Sequence, residues 1–167
     1  MTRPLSAHVI EKRYLLSERF IRIVATGLGS GLSPLAPGTM GTVVGIRLYL
    51  AFSNFPWPVY LLTVVAMTAL AIYTSGEAER LLNRKDAPCI VIDEIVGMQW
   101  TMFLVTPTLY HIVAGFILFR IFDIIKVFPA NVIQDRLPGG YGVVMDDVAA
   151  GIWGNAVLLL MIRYLGL

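Results

Sequence analysis

Charged side chains are scarce in this sequence. Asp, Glu, Lys and Arg supply 14% of its 167 residues, where a soluble domain carries about 25%. A chain of this length still has much surface to cover, so a larger buried core cannot absorb the deficit. Contact with lipid removes the demand for polar cover and comes first among the readings. Cysteine occurs once, at Cys89, which excludes an internal disulfide framework and a multi-cysteine zinc site. The formal net charge is only +2, too small to draw a nucleic-acid partner. Residues 1–22 lack an apolar core and contain Arg3, Glu11, Lys12, Arg13, Glu18, Arg19 and Arg22. No cleavable leader is therefore expected, and 1–22 reads as a polar, partly helical arm on a membrane surface.

What the chain has in quantity is apolar residues, 57% of the total, in runs divided by turn-forming residues. Residues 23–32 are apolar but glycine-rich, and Pro34, Pro37 and Gly38 break helix after them. Apolar helices are predicted over 42–55, 59–73, 90–105, 109–128 and 146–165. Between them lie a turn at 53–58, a charged connection at 77–88, a turn at 106–108 and a polar loop at 129–145. The expected fold is all-α, a polytopic membrane bundle of four or five apolar helices with a broken glycine-rich segment near the N-terminus, forming one domain over 23–167. Several runs fall short of the roughly 20 residues that cross a bilayer core, and they cross if their ends snorkel or the bilayer thins. Arg47, inside the first run, has to face protein, water or lipid headgroups.

The charges set the orientation. The connections at 53–58 and 106–109 contain no charged residue, whereas 1–22, 76–88 and 129–145 hold most of the Lys and Arg. Alternate connections thus differ, as an up-and-down bundle with one charged side requires. The positive-inside rule makes that side cytoplasmic, so an integral protein of the inner (cytoplasmic) membrane is expected. Phe55, Trp57, Tyr60 and Tyr110 flank the uncharged turns and suit the opposite interface, although core packing accounts for them about as well.

Of the 11 acidic residues, six fall at the predicted cytoplasmic ends of the helices: Asp86, Asp93, Glu94, Asp123, Asp146 and Asp147. Carboxylates in apolar helices are costly unless paired or metal-bound, and gathered like charges repel. A divalent cation relieves both, and oxygen-only donors suit Mg²⁺, Ca²⁺ or Mn²⁺ rather than zinc. Capping of a helix N-terminus explains one of Asp146 and Asp147 well and two less well. It explains Asp93 poorly, since apolar residues surround it. Glu94 points elsewhere on the helix and is placed to pair with a basic residue. Arg120, Asp123 and Lys126 share one helix face, and a basic pair flanking an acid at the end of an apolar helix fits a phosphate site better than a surface ladder. Two glycine-rich stretches, one with Gly29, Ser30, Gly31 and Thr39 and the other with Gly139 and Gly140, belong to the same side. They let backbone N–H groups approach a phosphate, with Thr39 or Thr42 as a helix cap, although a plain membrane re-entry turn accounts for the first stretch about as well. Gly151 and Gly154 read as close-packing positions.

Several chemistries are excluded. Cys89 is followed by Ile90-Val91-Ile92-Asp93-Glu94-Ile95, without the arginine that a cysteine phosphatase loop needs. Histidine-based lipid phosphatases need more than His8 and His111. No Asp-x-Asp pair is present for the usual soluble aspartyl-phosphate route, and the paired aspartates of phosphatidyl-group transferases are not matched. Metal-assisted phosphoryl chemistry run by carboxylates remains.

Four stretches together resemble the phosphatidylglycerophosphatase A family, in its order and spacing, from about residue 20 to the end. They are Gly27-Leu28-Gly29-Ser30-Gly31-Leu32-Ser33-Pro34 with Ala36-Pro37-Gly38-Thr39-Met40-Gly41-Thr42; Ile90-Val91-Ile92-Asp93-Glu94-Ile95-Val96-Gly97-Met98; Phe119-Arg120-Ile121-Phe122-Asp123-Ile124-Ile125-Lys126; and Gly139-Gly140-Tyr141-Gly142-Val143-Val144-Met145-Asp146-Asp147-Val148-Ala149-Ala150-Gly151. The resemblance implies a helical fold, Mg²⁺ dependence and hydrolysis of phosphatidylglycerophosphate to phosphatidylglycerol. The chain departs from relatives at Val127, where proline is common, and at Leu137-Pro138. Glu77 and Glu79 match no shared acid and are read as solvated surface charge. The expected catalytic set is Asp93, Glu94, Asp123, Asp146 and Asp147. Asp93, Asp123, Asp146 and Asp147 hold Mg²⁺, with Asp86 or Glu94 completing the shell. Arg120, Lys126 and the glycine-rich backbone grip the phosphate, and water or an aspartate is the nucleophile. The rival readings are a phosphatidyl-group transferase and a non-enzymatic cation-binding membrane protein. No residue pattern specifies an oligomeric state.

Overall fold

The computed structural model describes residues 17–166, so the arm over 1–16 lies outside the described residues. Those residues form helices and turns, with no β-strand among them. A helical run over 17–25 (α1) passes through turns and a short 3₁₀ turn, Ser30–Leu32, into α2, Pro37–Phe52. Then follow α3, Trp57–Leu82; α4, Ile92–Thr101; α5, Leu109–Ile125; α6, Ala130–Arg136; and α7, Gly140–Leu165. Proline in the first turn opens both α2 and α3, where a missing N–H costs nothing. Asn83, in the left-handed conformation, ends α3. The Thr108 side chain caps α5 by accepting from the His111 N–H at 3.1 Å.

α4 is the centre of the bundle, packed between α2 and α7 and closed in by α3 and α5. Nearly all of it is buried, including Asp93, Gln99 and Thr101. At its end the Met98 and Trp100 carbonyls accept backbone N–H groups of the following turn, and protein side chains supply donors to the others and to the carbonyls just beyond. Tyr60 Oη donates to the Gln99 carbonyl at 3.0 Å. Asn155 Nδ2 reaches the Thr101 carbonyl at 2.9 Å and the Phe103 carbonyl at 2.7 Å. Tyr49 Oη donates to the Val105 carbonyl at 2.7 Å. Gln99 Nε2 donates to the Gly45 carbonyl of α2 at 2.7 Å. Irregular backbone in an apolar interior is tolerated where protein groups pair it in this way.

Several boundaries differ from those predicted. The helix expected over 90–105 has only ten residues, about 15 Å. Its apolar run is buried on all sides, so no periodicity marked its end. Leu104 adopts a positive φ of 61° just beyond it. α3 runs on through Glu77 and Glu79 to Leu82, because the charges at 77–80 occupy a helix end rather than a loop. The expected loop at 129–145 contains α6 and the start of α7. α2 starts at Pro37 with Ala36 before it, so neither Thr39 nor Thr42 is a cap; Thr42 Oγ1 instead donates back to the Gly38 carbonyl at 2.9 Å. Arg47 lies on the exposed face of α2. By length and composition, α3 and α7, with 26 residues each, are able to cross a membrane; each is about 39 Å long against a hydrocarbon core of about 30 Å.

Asn155→Leu removes the side-chain donor from two part-buried carbonyls. It is expected to destabilise the fold by about 1–3 kcal/mol, read as a lower thermal unfolding midpoint of the detergent-solubilised protein. An unchanged midpoint would show that α4 does not depend on this donor.

Candidate active site

The predicted acids come from three helices that meet at one end of the bundle. Asp93 and Glu94 stand in the first turn of α4, where the helix dipole favours negative charge. Asp123 belongs to the last turns of α5. Asp146 and Asp147 are the seventh and eighth residues of α7, well inside the helix, so N-capping is not their role. Two glycines allow this convergence. Gly97 follows Asp93 by one turn, and a Cβ there would overlap the Phe119 ring and lie 3.0 Å from the Asp147 carbonyl. Its absence lets α5 and α7 close on α4. Gly38, in the first turn of α2, lies against the Glu94 carboxylate and 3.3 Å, from where its Cβ would be, to Arg120 Nη1.

Asp93, Glu94 and Asp147 form the tightest group: one carboxylate oxygen from each lies within 4.8 Å of the others. Asp93 and Asp147 are 6% and 4% exposed. Asp93 Oδ1, Glu94 Oε2 and Asp147 Oδ2 are buried and accept no hydrogen bond among the described residues. Asp123 faces Asp147 closely enough for the two charges to repel. Two cations answer this charge. Arg120 Nη1 lies 2.6 Å from Asp123 Oδ2 and 3.9 Å from Glu94 Oε1, and Lys126 Nζ lies 2.6 Å from Asp146 Oδ2. Asp146 Oδ1 also accepts from the Asp147 N–H at 3.0 Å. Burial works against the Lys126 ammonium, yet its hydrogen bond to Asp146 and the charges of Asp146, Asp147 and Asp123 hold its pKa above the ordinary lysine value. Five carboxylates against two cations leave an excess of buried negative charge, and orphaned hard oxygens fit a hard divalent cation.

Other predicted residues lie elsewhere. Asp86 is exposed, accepts from Gln134 Nε2 at 3.3 Å, and is not part of the three-carboxylate group, although its charge reaches Asp146. Glu79 is not simply solvated: its Oε1 accepts from the Asp86 N–H at 2.6 Å and holds the turn after α3. Glu77 pairs with Arg80 at 2.7 Å on the surface. Gly139 and Gly140 sit at the crossing of α7 with α3; Gly140 packs directly on the Ile72 carbonyl, and Gly139 faces Glu79. Gly31 packs on the Cys89 carbonyl in the strand of chain leading to α4, while a Cβ at Gly29 would meet open space. Ser30 Oγ donates to the Thr26 carbonyl at 3.4 Å. Thr39 is the third residue of α2, next to Gly38. The sequence marks Gly97 only as a motif member and Gly38 also as a helix breaker, whereas Gly38 stands in the first turn of α2. The signals that single them out are Gly97 four residues after Asp93, hence on the same helix face, and Gly38 just after a proline that opens a helix.

The phosphatidylglycerophosphatase A family profile matches residues 23–162. A phosphatidylglycerophosphatase A of Escherichia coli strain K12 is 32% identical over 93% of this chain and 90% of its own length. One from Haemophilus influenzae strain Rd is 33% identical over 86% of this chain and 89% of its own. A Bacteroides thetaiotaomicron protein provisionally named a phosphatidylinositol-3-phosphatase is 36% identical over 85% of this chain and 92% of its own. No solved structure gives a significant match. With most of its length matched by the profile and by relatives on both sides of the alignment, the chain belongs to the phosphatidylglycerophosphatase A family.

Proposed function

We propose that this protein is a Mg²⁺-dependent lipid phosphatase that hydrolyses phosphatidylglycerophosphate to phosphatidylglycerol and inorganic phosphate. The observation that carries the reading is the group of Asp93, Glu94 and Asp147 with its three orphaned oxygens. A phosphomonoester is an anion, and five bare carboxylates would repel it. Asp93, Glu94 and Asp147 would hold the cation, with Asp123 and Asp146 beside them. Bound there, Mg²⁺ would neutralise the carboxylates and polarise a phosphoryl oxygen. Arg120 and Lys126, both partly exposed at this end, bind and orient the phosphate oxygens. The unpaired N–H groups of the first turn of α2, at Gly38 and Thr39, add donors beside them. Asp123, paired through Oδ2 with Arg120, would accept the proton of the water adding to phosphorus as the P–O bond to the glycerol oxygen breaks, and would return that proton to the leaving oxygen.

In this reading α2, α3, α5 and α7 cross the membrane. α4 carries the chain half-way and residues 102–108 the rest, which places the carboxylates at the basic, cytoplasmic end. The lipid tails then remain in the bilayer while the phosphate meets the acids at its surface. The Bacteroides relative gives a second headgroup to try, an inositol lipid phosphorylated at position 3.

Phosphate release by the purified protein in micelles, with no alcohol acceptor added, is expected from phosphatidylglycerophosphate with Mg²⁺ and not after chelation. No phosphate release, with an added alcohol instead displacing glycerol phosphate from the phosphodiester, would favour a transferase. Faster release from phosphatidylinositol 3-phosphate would reassign the substrate. Asp93→Asn is expected to cut turnover by at least about 100-fold with the fold retained; near-normal turnover would remove Asp93 from the mechanism. Gly38→Val should displace Glu94 and lower turnover about tenfold or more without shifting the unfolding midpoint, whereas full activity would place α2 outside the site.

A further inference from the structure

An apolar trough of about 540 Å³ lies between the 22–32 segment and the last turns of α3, with Ile23, Leu28 and Leu32 on one wall and Ala78 and Leu82 on the other. Its floor is Cys89 and Ile90, the residues that lead into α4. Leu32, Leu82 and Cys89 also line a second cavity, of about 560 Å³, that ends at Pro37. The next residue, Gly38, lies on Glu94 and Arg120. An apolar track of two cavities that share three lining residues thus leads from the outside of the bundle toward the start of α2, whose Gly38 borders the carboxylate site.

We infer that this track holds one acyl chain of the glycerophospholipid substrate while its phosphomonoester reaches the acids, an inference that rests on the proposed lipid phosphatase activity and names the substrate's second contact. Two observations select a lipid chain over a peptide. Arg22 lines one cavity and Arg84 the other, so cationic side chains edge an apolar trough, the complement of an anionic amphiphile. The polar side chain inside the first cavity is already committed: Thr26 Oγ1 donates to the Arg22 carbonyl at 2.8 Å and accepts from the Gly29 N–H at 3.2 Å. A peptide backbone laid there would leave its own polar groups unpaired, and an alkyl chain has none. Leu28 and Leu32 are 82% and 69% exposed, apolar surface that an occupant would cover.

The test uses the purified full chain in micelles and a phosphatidylglycerophosphate bearing a photoreactive diazirine near the end of one acyl chain. Labelling is expected on 22–32 or 82–90 and is expected to fall when unlabelled dioleoyl substrate is added. Labelling spread over the outer faces of α3, α5 and α7, and insensitive to that competitor, would overturn the inference. In parallel, Leu32→Asp is expected to lower the ratio of kcat/KM for dioleoyl over dihexanoyl substrate about tenfold or more. An unchanged ratio would overturn it equally. If the wild-type protein releases no phosphate from either substrate, the proposed activity fails instead, and the labelling pattern still reads the trough.

Discussion

Negative charge held out of water governs this structure. Asp93, Asp146 and Asp147 are buried, Glu94 and Asp123 nearly so, and among the described residues the cations in contact with them are Arg120 and Lys126. Carboxylates gathered in an apolar bundle oppose folding unless something positive joins them. The proposed Mg²⁺ meets that demand and supplies an electrophile at the same place. The same charge excess that is a liability for stability is, in this account, the device that gathers a cation and then a phosphate.

The rest of the bundle is arranged around α4 in a way that separates an acidic end from one whose backbone is tied down. At its start, acids stand in the first turn and small residues, Gly38 and Gly97, bring α2, α5 and α7 against them. At its finish, Tyr60 and Asn155 tie down the Gln99 and Thr101 carbonyls, and Asn155 and Tyr49 hold those of Phe103 and Val105 just beyond. A half-length helix buried in this manner can place ionisable groups near a membrane surface without exposing unpaired backbone to lipid.

Much of the site was legible because charge is rare here. In an apolar sequence each acid needs a reason, and Asp93, Asp123, Asp146 and Asp147 stood out for that alone, as did Arg120 and Lys126. The all-helical fold followed from the apolar runs and their proline breaks. What stayed hidden depended on contacts across the chain. α4 is buried on every side, so its apolar run carried no periodicity to mark Thr101 as its end. The start of α7 at Gly140 was masked by glycines that read as loop yet serve as a helix crossing. Asp86 follows Arg84 and Lys85 in a charged stretch, and its exposure together with its bond to Gln134 shows that it faces away from the carboxylate group. Glu79 looked like surface charge because the turn it holds closes seven residues later.

The most direct measurement of the central claim is cation binding by the protein itself, independent of turnover. Mn²⁺ added to the chelator-treated, detergent-solubilised protein can be followed by its paramagnetic resonance signal, with Mg²⁺ as competitor. The account predicts a bound Mn²⁺ population that Mg²⁺ displaces and that Asp147→Asn abolishes in a folded protein. A wild-type protein that binds no Mn²⁺, and still releases phosphate after chelation, would contradict it.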